Sequence, residues 1–297
     1  MIEIRSVNRS FGDRQVLNDV SFSVQGGRMT GFVGSNGAGK TTTMRIILGV
    51  LEADSGEVLV GGSPITPSER ARFGYMPEER GLYPKEKVLN QLVYLARLHG
   101  VDTVTAKRNA ESLLERLGLE ERGGDIIESL SLGNQQRVQI AAALVHEPEV
   151  LVLDEPFSGL DPYAIEVVLG VLRDYAAKGV PVLFSSHQLD VVERLCDDVV
   201  VIGGGTVLAQ GSREELRTRH AQPTYEIELE GEAADAGWVG DLDAVTLEYL
   251  DGGYARFTET TPGTAQSVLR EALTRGDVRQ FAPVVPTLAE IFREVTQ

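Results

Sequence analysis

A single cysteine, Cys196, stands in the whole 297-residue sequence. An intrachain disulfide is therefore excluded, and the composition fits a reducing compartment. Long apolar runs are missing too: no stretch approaches the roughly 20 residues needed to span a bilayer. The opening Met-Ile-Glu-Ile-Arg has an acid and no apolar run behind a basic start, so no secretory leader is expected there. Basic charge is scarce. Lys and Arg total 28 against 44 Asp and Glu, a net −16, which argues against a protein that coats nucleic acid or an anionic membrane. The deficit is uneven: residues 1–223 hold 30 acids and 23 bases (−7), residues 224–297 hold 14 and 5 (−9). The C-terminal quarter therefore reads as a separate unit. There are no internal repeats or low-complexity segments, and the length suits one or two domains with a sizeable core.

What is present is patterned. Ile2 and Ile4, then Val20, Phe22 and Val24, alternate with polar residues as antiparallel strands joined near Gly12-Asp13. Met29 to Val33 is an apolar strand running into a Gly-rich loop, and Thr41 to Leu48 reads as helix. In residues 85–122, Leu89, Leu92, Val93 and Ala96, then Leu113, Leu114 and Leu117, recur at helical spacing; another helix is expected from Asn134 to Val145. Val150–Leu153 is a short all-apolar run suited to a buried parallel strand. Helix Tyr163–Lys178, strand Val180–Phe184, helix Leu189–Leu195 and strand Val199–Ile202 follow, which predicts an α/β core with a mainly parallel sheet. The tail suggests strands at Glu226–Glu230, Val245–Tyr249, Tyr254–Thr258 and Val278–Phe281, a helix Thr264–Leu273, and a last helix opened by a Thr287/Glu290 capping box. That reads as a small α+β domain. The expected domains are 1–220, with a helical subdomain over about 85–147, and 224–297.

Gly34-Ser35-Asn36-Gly37-Ala38-Gly39-Lys40-Thr41 matches G-x-x-x-x-G-K-[ST] in full and sits between a strand and a helix. Glycines let backbone amides wrap a phosphate, and the helix beginning at Lys40 adds the positive end of its dipole. Lys40 supplies a cation for the β- and γ-phosphates, and the Thr41 hydroxyl, followed by Thr42, is a ligand for Mg²⁺. This loop alone leaves kinases, GTPases, helicases and transporters open.

Downstream, Leu151-Val152-Leu153-Asp154-Glu155 ends a buried strand with two carboxylates. Strand alternation is expected to turn them apart, Asp154 toward the metal and Glu155 toward the water that attacks the γ-phosphate. Leu130-Ser131-Leu132-Gly133-Asn134 sits just before a helix: taken alone it reads first as a helix cap, and Ser131, Gly133 and the helix start also have the makings of a second anion site. Two such elements in one chain suggest that two copies share each nucleotide.

With those residues in view, the sequence over 1–215 resembles the ATP-binding subunit of ABC transporters. The resemblance makes Phe11 the aromatic that stacks on adenine, residues 34–41 the Walker A loop and 150–155 the Walker B strand. It makes 130–134 the signature segment, Ser158-Gly159-Leu160-Asp161 the loop that crosses the dimer, and His187 the switch histidine at the γ-phosphate. Two positions depart from the family pattern: Glu78 follows Gly74-Tyr75-Met76-Pro77 where Gln is usual, and Leu132 and Asn134 replace Gly and Gln. A carboxylate at 78 would strengthen metal binding and repel a γ-phosphate. Glu78-Glu79-Arg80-Gly81-Leu82-Tyr83-Pro84 and Gly133-Asn134-Gln135-Gln136 are similar to a prokaryotic branch serving two-component drug or sodium exporters, often with a C-terminal α+β appendage.

The resemblance implies a P-loop NTPase core with an antiparallel β subdomain and a helical subdomain. It implies ATP and Mg²⁺ as cofactors, Glu155 and His187 as catalytic groups, and Thr41, Glu78 and Asp154 at the metal. Expected partners are an integral-membrane permease subunit on another chain and a second copy of the protein or a paralogous ATPase subunit, with no nucleic acid. The expected location is cytoplasmic, peripheral on the inner face of the membrane. A soluble ATPase of the same type acting on ribosomes or DNA is the alternative. His99, His146, His220 and Cys196 have no metal-ligand spacing and are expected to pack.

Overall fold

The computed structural model describes residues 1–79, 81–231 and 234–296; Arg80 of the exporter-like segment lies outside them. Two compact units are present: Met1–Arg213 together with the residues from Phe292 onward, and Glu214–Ile291. The division therefore falls inside the helix Arg213–His220 and again inside the helix Leu288–Thr296.

The first unit is built on a six-stranded sheet. Its strands run, edge to edge, Thr206–Ser212, Asp198–Gly203, Met29–Val33, Val182–Ser186, Val150–Leu153 and Phe73–Met76. Five are mutually parallel, and only Thr206–Ser212 pairs antiparallel, with Asp198–Gly203. Every residue of Met29–Val33, Val150–Leu153 and Val182–Ser186 is buried. That is why these segments are mostly apolar, broken only by Thr30, Gly31, Ser185 and Ser186, rather than alternating. In such a sheet, ligand-binding residues collect beyond the carboxyl ends of the strands. Four adjacent strands here deliver their following loops to one end: the Gly-rich loop after Val33, His187 after Ser186, Asp154-Glu155 after Leu153, and Glu78 after Met76.

A second sheet orders Arg14–Val24, Ile2–Phe11, Ser55–Val60 and Ser63–Pro64, all antiparallel. Its alternating inward residues Ile2, Ile4, Val20 and Phe22 share one core with Phe32, Met44 and Ile47, so it packs beside the Lys40–Ile47 helix. The rings of Phe22 and Phe32 lie 5.1 Å apart between the two sheets.

The helical region contains Val88–Leu98, Thr103–Arg116 and Leu132–Leu144. Asp102 opens the second helix by accepting from Val104 N–H and Thr105 N–H, the capping arrangement that satisfies otherwise orphaned donors. The rings of His99 and His146 stack at 3.7 Å, with His99 Nδ1 2.7 Å from Ala71 O and His146 Nε2 3.1 Å from Phe73 O.

The second unit holds a four-stranded antiparallel sheet ordered Val245–Asp251, Tyr254–Glu259, Thr224–Leu229 and Val278–Pro283. Ile227, Ala255 and Phe257 pack with Val268 and Ala272 of the helix Thr264–Arg275. The Thr287/Glu290 capping box forms, with Glu290 N–H donating to Thr287 Oγ1 and Thr287 N–H donating to Glu290 Oε2. No helix among the described residues is long and apolar enough to cross a membrane.

Candidate functional site

The Gly-rich loop turns on two glycines that nothing larger can replace without displacing neighbours. A Cβ at Gly34 would lie 2.4 Å from Ile202 O, and one at Gly39 (φ 109°) would lie 2.5 Å from Leu17 Cδ2. Within the loop, Ala38 N–H donates to Ser35 O at 3.1 Å. The amides of Asn36, Gly37, Gly39, Lys40 and Thr41 donate to no acceptor among the described residues. Lys40 is 8% exposed, and its Nζ donates to Gly34 O (2.6 Å) and Ser35 O (3.2 Å), with no carboxylate paired to it among the described residues. A buried cation beside a row of amides at a helix start, without a carboxylate among the described residues, is chemistry suited to binding an anion.

Asp154 is 1% exposed and uses both carboxylate oxygens: Ser185 Oγ donates to Oδ1 at 2.5 Å and Thr41 Oγ1 donates to Oδ2 at 2.9 Å. Its own N–H donates to Met76 O at 2.8 Å, which fixes the end of the neighbouring strand. Burial, and then the charge of Asp154, hold the Tyr75 phenol above its ordinary range.

The two carboxylates diverge for a reason other than strand alternation. The strand ends at Leu153, and Glu155 takes the left-handed conformation with φ 52°, a state costing about 1–2 kcal/mol for a residue with a Cβ. Partners hold it there: Glu155 N–H donates to Ser185 Oγ at 2.9 Å, and Gln136 Nε2 donates to Glu155 O at 3.1 Å. The Glu155 side chain is mostly buried and meets His187 Nδ1 at 3.0 Å.

Phe11, Asn36, Gly37, Gly39, Lys40, Thr41, Thr42, Glu78, Asp154 and Glu155 line one cavity of about 340 Å³. Ser35 and Ala38 belong to the loop without lining the cavity, and His187 reaches it through Glu155. Ser131 and Gly133 do not line it. Ser131 caps the Leu132–Leu144 helix by accepting from Asn134 N–H at 3.3 Å, and Gly133 faces the Gly159 carbonyl. Phe11 is 48% exposed and carries the Arg9 guanidinium 4.7 Å from its ring centroid.

Arg14 and Val16 line the cavity without having been expected. Nor were Ser185, Gln136 and Gln139 foreseen, the last with Nε2 donating to Pro77 O at 2.6 Å. Only the Ser185-Ser186 pair before His187 offered a sequence signal, as two polar residues at the end of an apolar run.

No group of three or more His, Cys, Asp or Glu side chains able to hold a metal occurs among the described residues. Thr41, Asp154 and Glu78 offer oxygen only. That donor set suits a Mg²⁺ that keeps waters and takes its remaining ligands from substrate phosphates.

Comparison with known proteins agrees with this geometry. A family model described as ABC transporter matches residues 17–158, and one described as ATP-binding protein DrrA1-3-like, C-terminal domain, matches residues 211–296. The chain is 35% identical over 305 residues to the uncharacterized ABC transporter ATP-binding protein YhaQ of Bacillus subtilis, covering 99% of this chain and 98% of the relative. It is 36% identical over 266 residues to the Nod factor export ATP-binding protein I of Bradyrhizobium diazoefficiens, covering 89% and 83%. Over 222 residues it is 35% identical to the linearmycin resistance ATP-binding protein LnrL of Bacillus subtilis, covering 74% and 71%. A solved structure of the ATP-binding subunit of an ABC transporter superposes with a TM-score of 0.69 at 34% identity, covering 74% of this chain and 92% of that one.

Proposed function

The chain belongs to the ATP-binding subunits of ABC transporters, and from that premise we propose that it binds MgATP in the Lys40 cavity and hydrolyses it to drive export. The buried, unpaired ammonium of Lys40 carries this reading, because the β- and γ-phosphates supply the anion that the protein lacks. Thr41 and Asp154, with Glu78 in the same cavity, would hold Mg²⁺, which would supply positive charge at the transferred phosphoryl group. Glu155 orients the attacking water, and His187, in contact with Glu155, lies beside the γ-phosphate. Phe11 stacks on adenine with the ring face that Arg9 leaves open.

Ser131 and Gly133 complete the nucleotide site of a second copy or a paralogous subunit. Their exclusion from this chain's own cavity supports that assignment. ATP then favours the closed pair and hydrolysis releases it.

The other partner is an integral-membrane subunit. A cavity of about 780 Å³ lined by Tyr83, Pro84, Asn90, Gln91 and Tyr94 suits a cytoplasmic segment of it. Gln91 there is 3% exposed with Oε1 unpartnered among the described residues, a polar group that a docked segment would satisfy. The working location is the inner face of the membrane. The export direction rests on the relatives named for Nod factor export and linearmycin resistance. The ATPase domain is read as residues 1–220 and the accessory domain as 224–297, although the compact units divide earlier, after Arg213, and return the residues from Phe292 onward to the first. Calorimetric titration with MgATP tests the site: Lys40→Met is expected to weaken binding at least about 100-fold, since it removes two charge-assisted contacts. Unchanged affinity contradicts the assignment.

A further inference from the structure

Two glutamines of the Leu132–Leu144 helix point inward where a helix buries apolar side chains. Gln136 is 5% exposed and Gln139 3%, and at i and i+3 they share one face. Each uses its amide nitrogen to straddle two carbonyls of a different loop. Gln139 Nε2 donates to Pro77 O at 2.6 Å and Glu79 O at 3.3 Å, on either side of Glu78. Gln136 Nε2 donates to Glu155 O at 3.1 Å and Pro156 O at 3.2 Å.

The two loops differ in how much else holds them. Glu155 is also fixed by Ser185 Oγ on its N–H and by Ser158 N–H on its carbonyl at 3.2 Å. The parallel ladder to the Val150–Leu153 strand ends at Met76. Beyond it, the Gln139 amide makes the only hydrogen bonds to the Pro77–Glu79 backbone among the described residues. Gln139 Oε1 is buried without a partner among the described residues. A buried amide kept with half of its capacity unmet is poor core packing, and its donor half accounts for its presence.

We propose that Gln139 and Gln136 are positioning residues of the ATPase site: Gln139 presents Glu78, Gln136 braces Glu155, and one helix mounts both carboxylates. The proposal rests on reading the Lys40 cavity as the MgATP site. The amino end of the same helix carries Ser131 and Gly133. A displacement of that end by a second copy's nucleotide therefore moves Glu78 and Glu155 together.

The test uses the full-length chain and Gln139→Leu, which keeps the bulk and removes the donor. Turnover is expected to fall about tenfold while MgATP affinity stays within about threefold, a split that marks a lost transition-state contribution. Backbone amides of Glu78 and Glu79 exchange hydrogen faster, while those of Leu151–Leu153 keep their protection. In a Glu78→Ala background, which leaves no polar side chain at 78 to present, the same substitution changes turnover less than about threefold, because its effect runs through Glu78. Unchanged turnover in Gln139→Leu, multiplicative losses in the double variant, or unchanged exchange at 78–79 each overturn the proposal. Should Gln139→Leu not fold, Gln139→Glu, which puts an acceptor against two carbonyls, carries the same expectations. Wild-type protein that binds no MgATP would instead overturn the reading of the site.

Discussion

Replacing Ser185 by Ala removes a single oxygen that joins the two carboxylate-bearing residues. Ser185 is fully buried in the Val182–Ser186 strand, and its Oγ accepts from Glu155 N–H at 2.9 Å while donating to Asp154 Oδ1 at 2.5 Å. The substitution leaves a backbone donor and one oxygen of a 1%-exposed carboxylate without partners. Each orphaned group costs about 1–3 kcal/mol, the charged one at the upper end. Partial relaxation lowers the sum to about 3 kcal/mol, a large share of a typical folding free energy. Urea unfolding followed by far-UV circular dichroism reads this as a lower midpoint at unchanged slope.

Function is expected to respond unevenly. Losing the Ser185 acceptor frees the left-handed Glu155 to relax, so hydrolysis falls at least about tenfold. MgATP affinity stays within about threefold, since the Lys40 contacts do not pass through Ser185. A stability change below about 0.5 kcal/mol together with normal hydrolysis would refute the reasoning.

Two further outcomes are expected. Burial, and secondarily the charge of His99, push His146 down to about 4 from 6.5. The folded protein keeps it neutral while the unfolded chain binds a proton below 6.5. Stability is therefore complete above that pH and falls as pH drops toward 4, by up to about 3 kcal/mol. His146→Gln flattens that part of the urea-midpoint profile, and an unchanged slope contradicts the account. Phe11→Ala is expected to weaken ATP about tenfold by calorimetry through lost stacking, whereas Phe11→Tyr retains it; equal losses in the two variants argue against a stacking role.

Much of this architecture is legible in residue pattern because burial writes itself into side-chain type. The all-apolar Val150–Leu153 run, the alternation through Ile2 and Ile4, and the Gly-rich loop each correspond to one local physical demand. Four strands escape that logic, the shortest being the exposed Ser63–Pro64. Ser55–Val60 exposes its first three residues, Phe73–Met76 contains Gly74 and the half-buried Tyr75, and Thr206–Ser212 is an edge strand with a single fully buried position. Their pairing partners, more than their own composition, make them strands. The Val182–Ser186 strand also runs two residues beyond its expected end, since Ser185 and Ser186 are buried polar residues satisfied within the fold.

The site divides in the same way. Lys40, Thr41, Asp154 and Glu155 announce themselves through spacing along the chain. Ser185, Gln136 and Gln139 act on backbone groups 19 to 62 residues away, and no linear pattern records such contacts. The divergence of Asp154 and Glu155 was expected from strand alternation and arises instead from a left-handed residue.

The central claim, a motor driven by ATP-dependent closure of two copies, is tested most directly by sedimentation of the Glu155→Gln variant with and without saturating MgATP. On the proposed reading the variant is expected to keep nucleotide binding, Ser131 and Gly133 but to lose the group that orients the attacking water, so that the closed pair accumulates. The expected result is a dimer with MgATP and a monomer without it. A variant that binds MgATP yet stays monomeric contradicts the account.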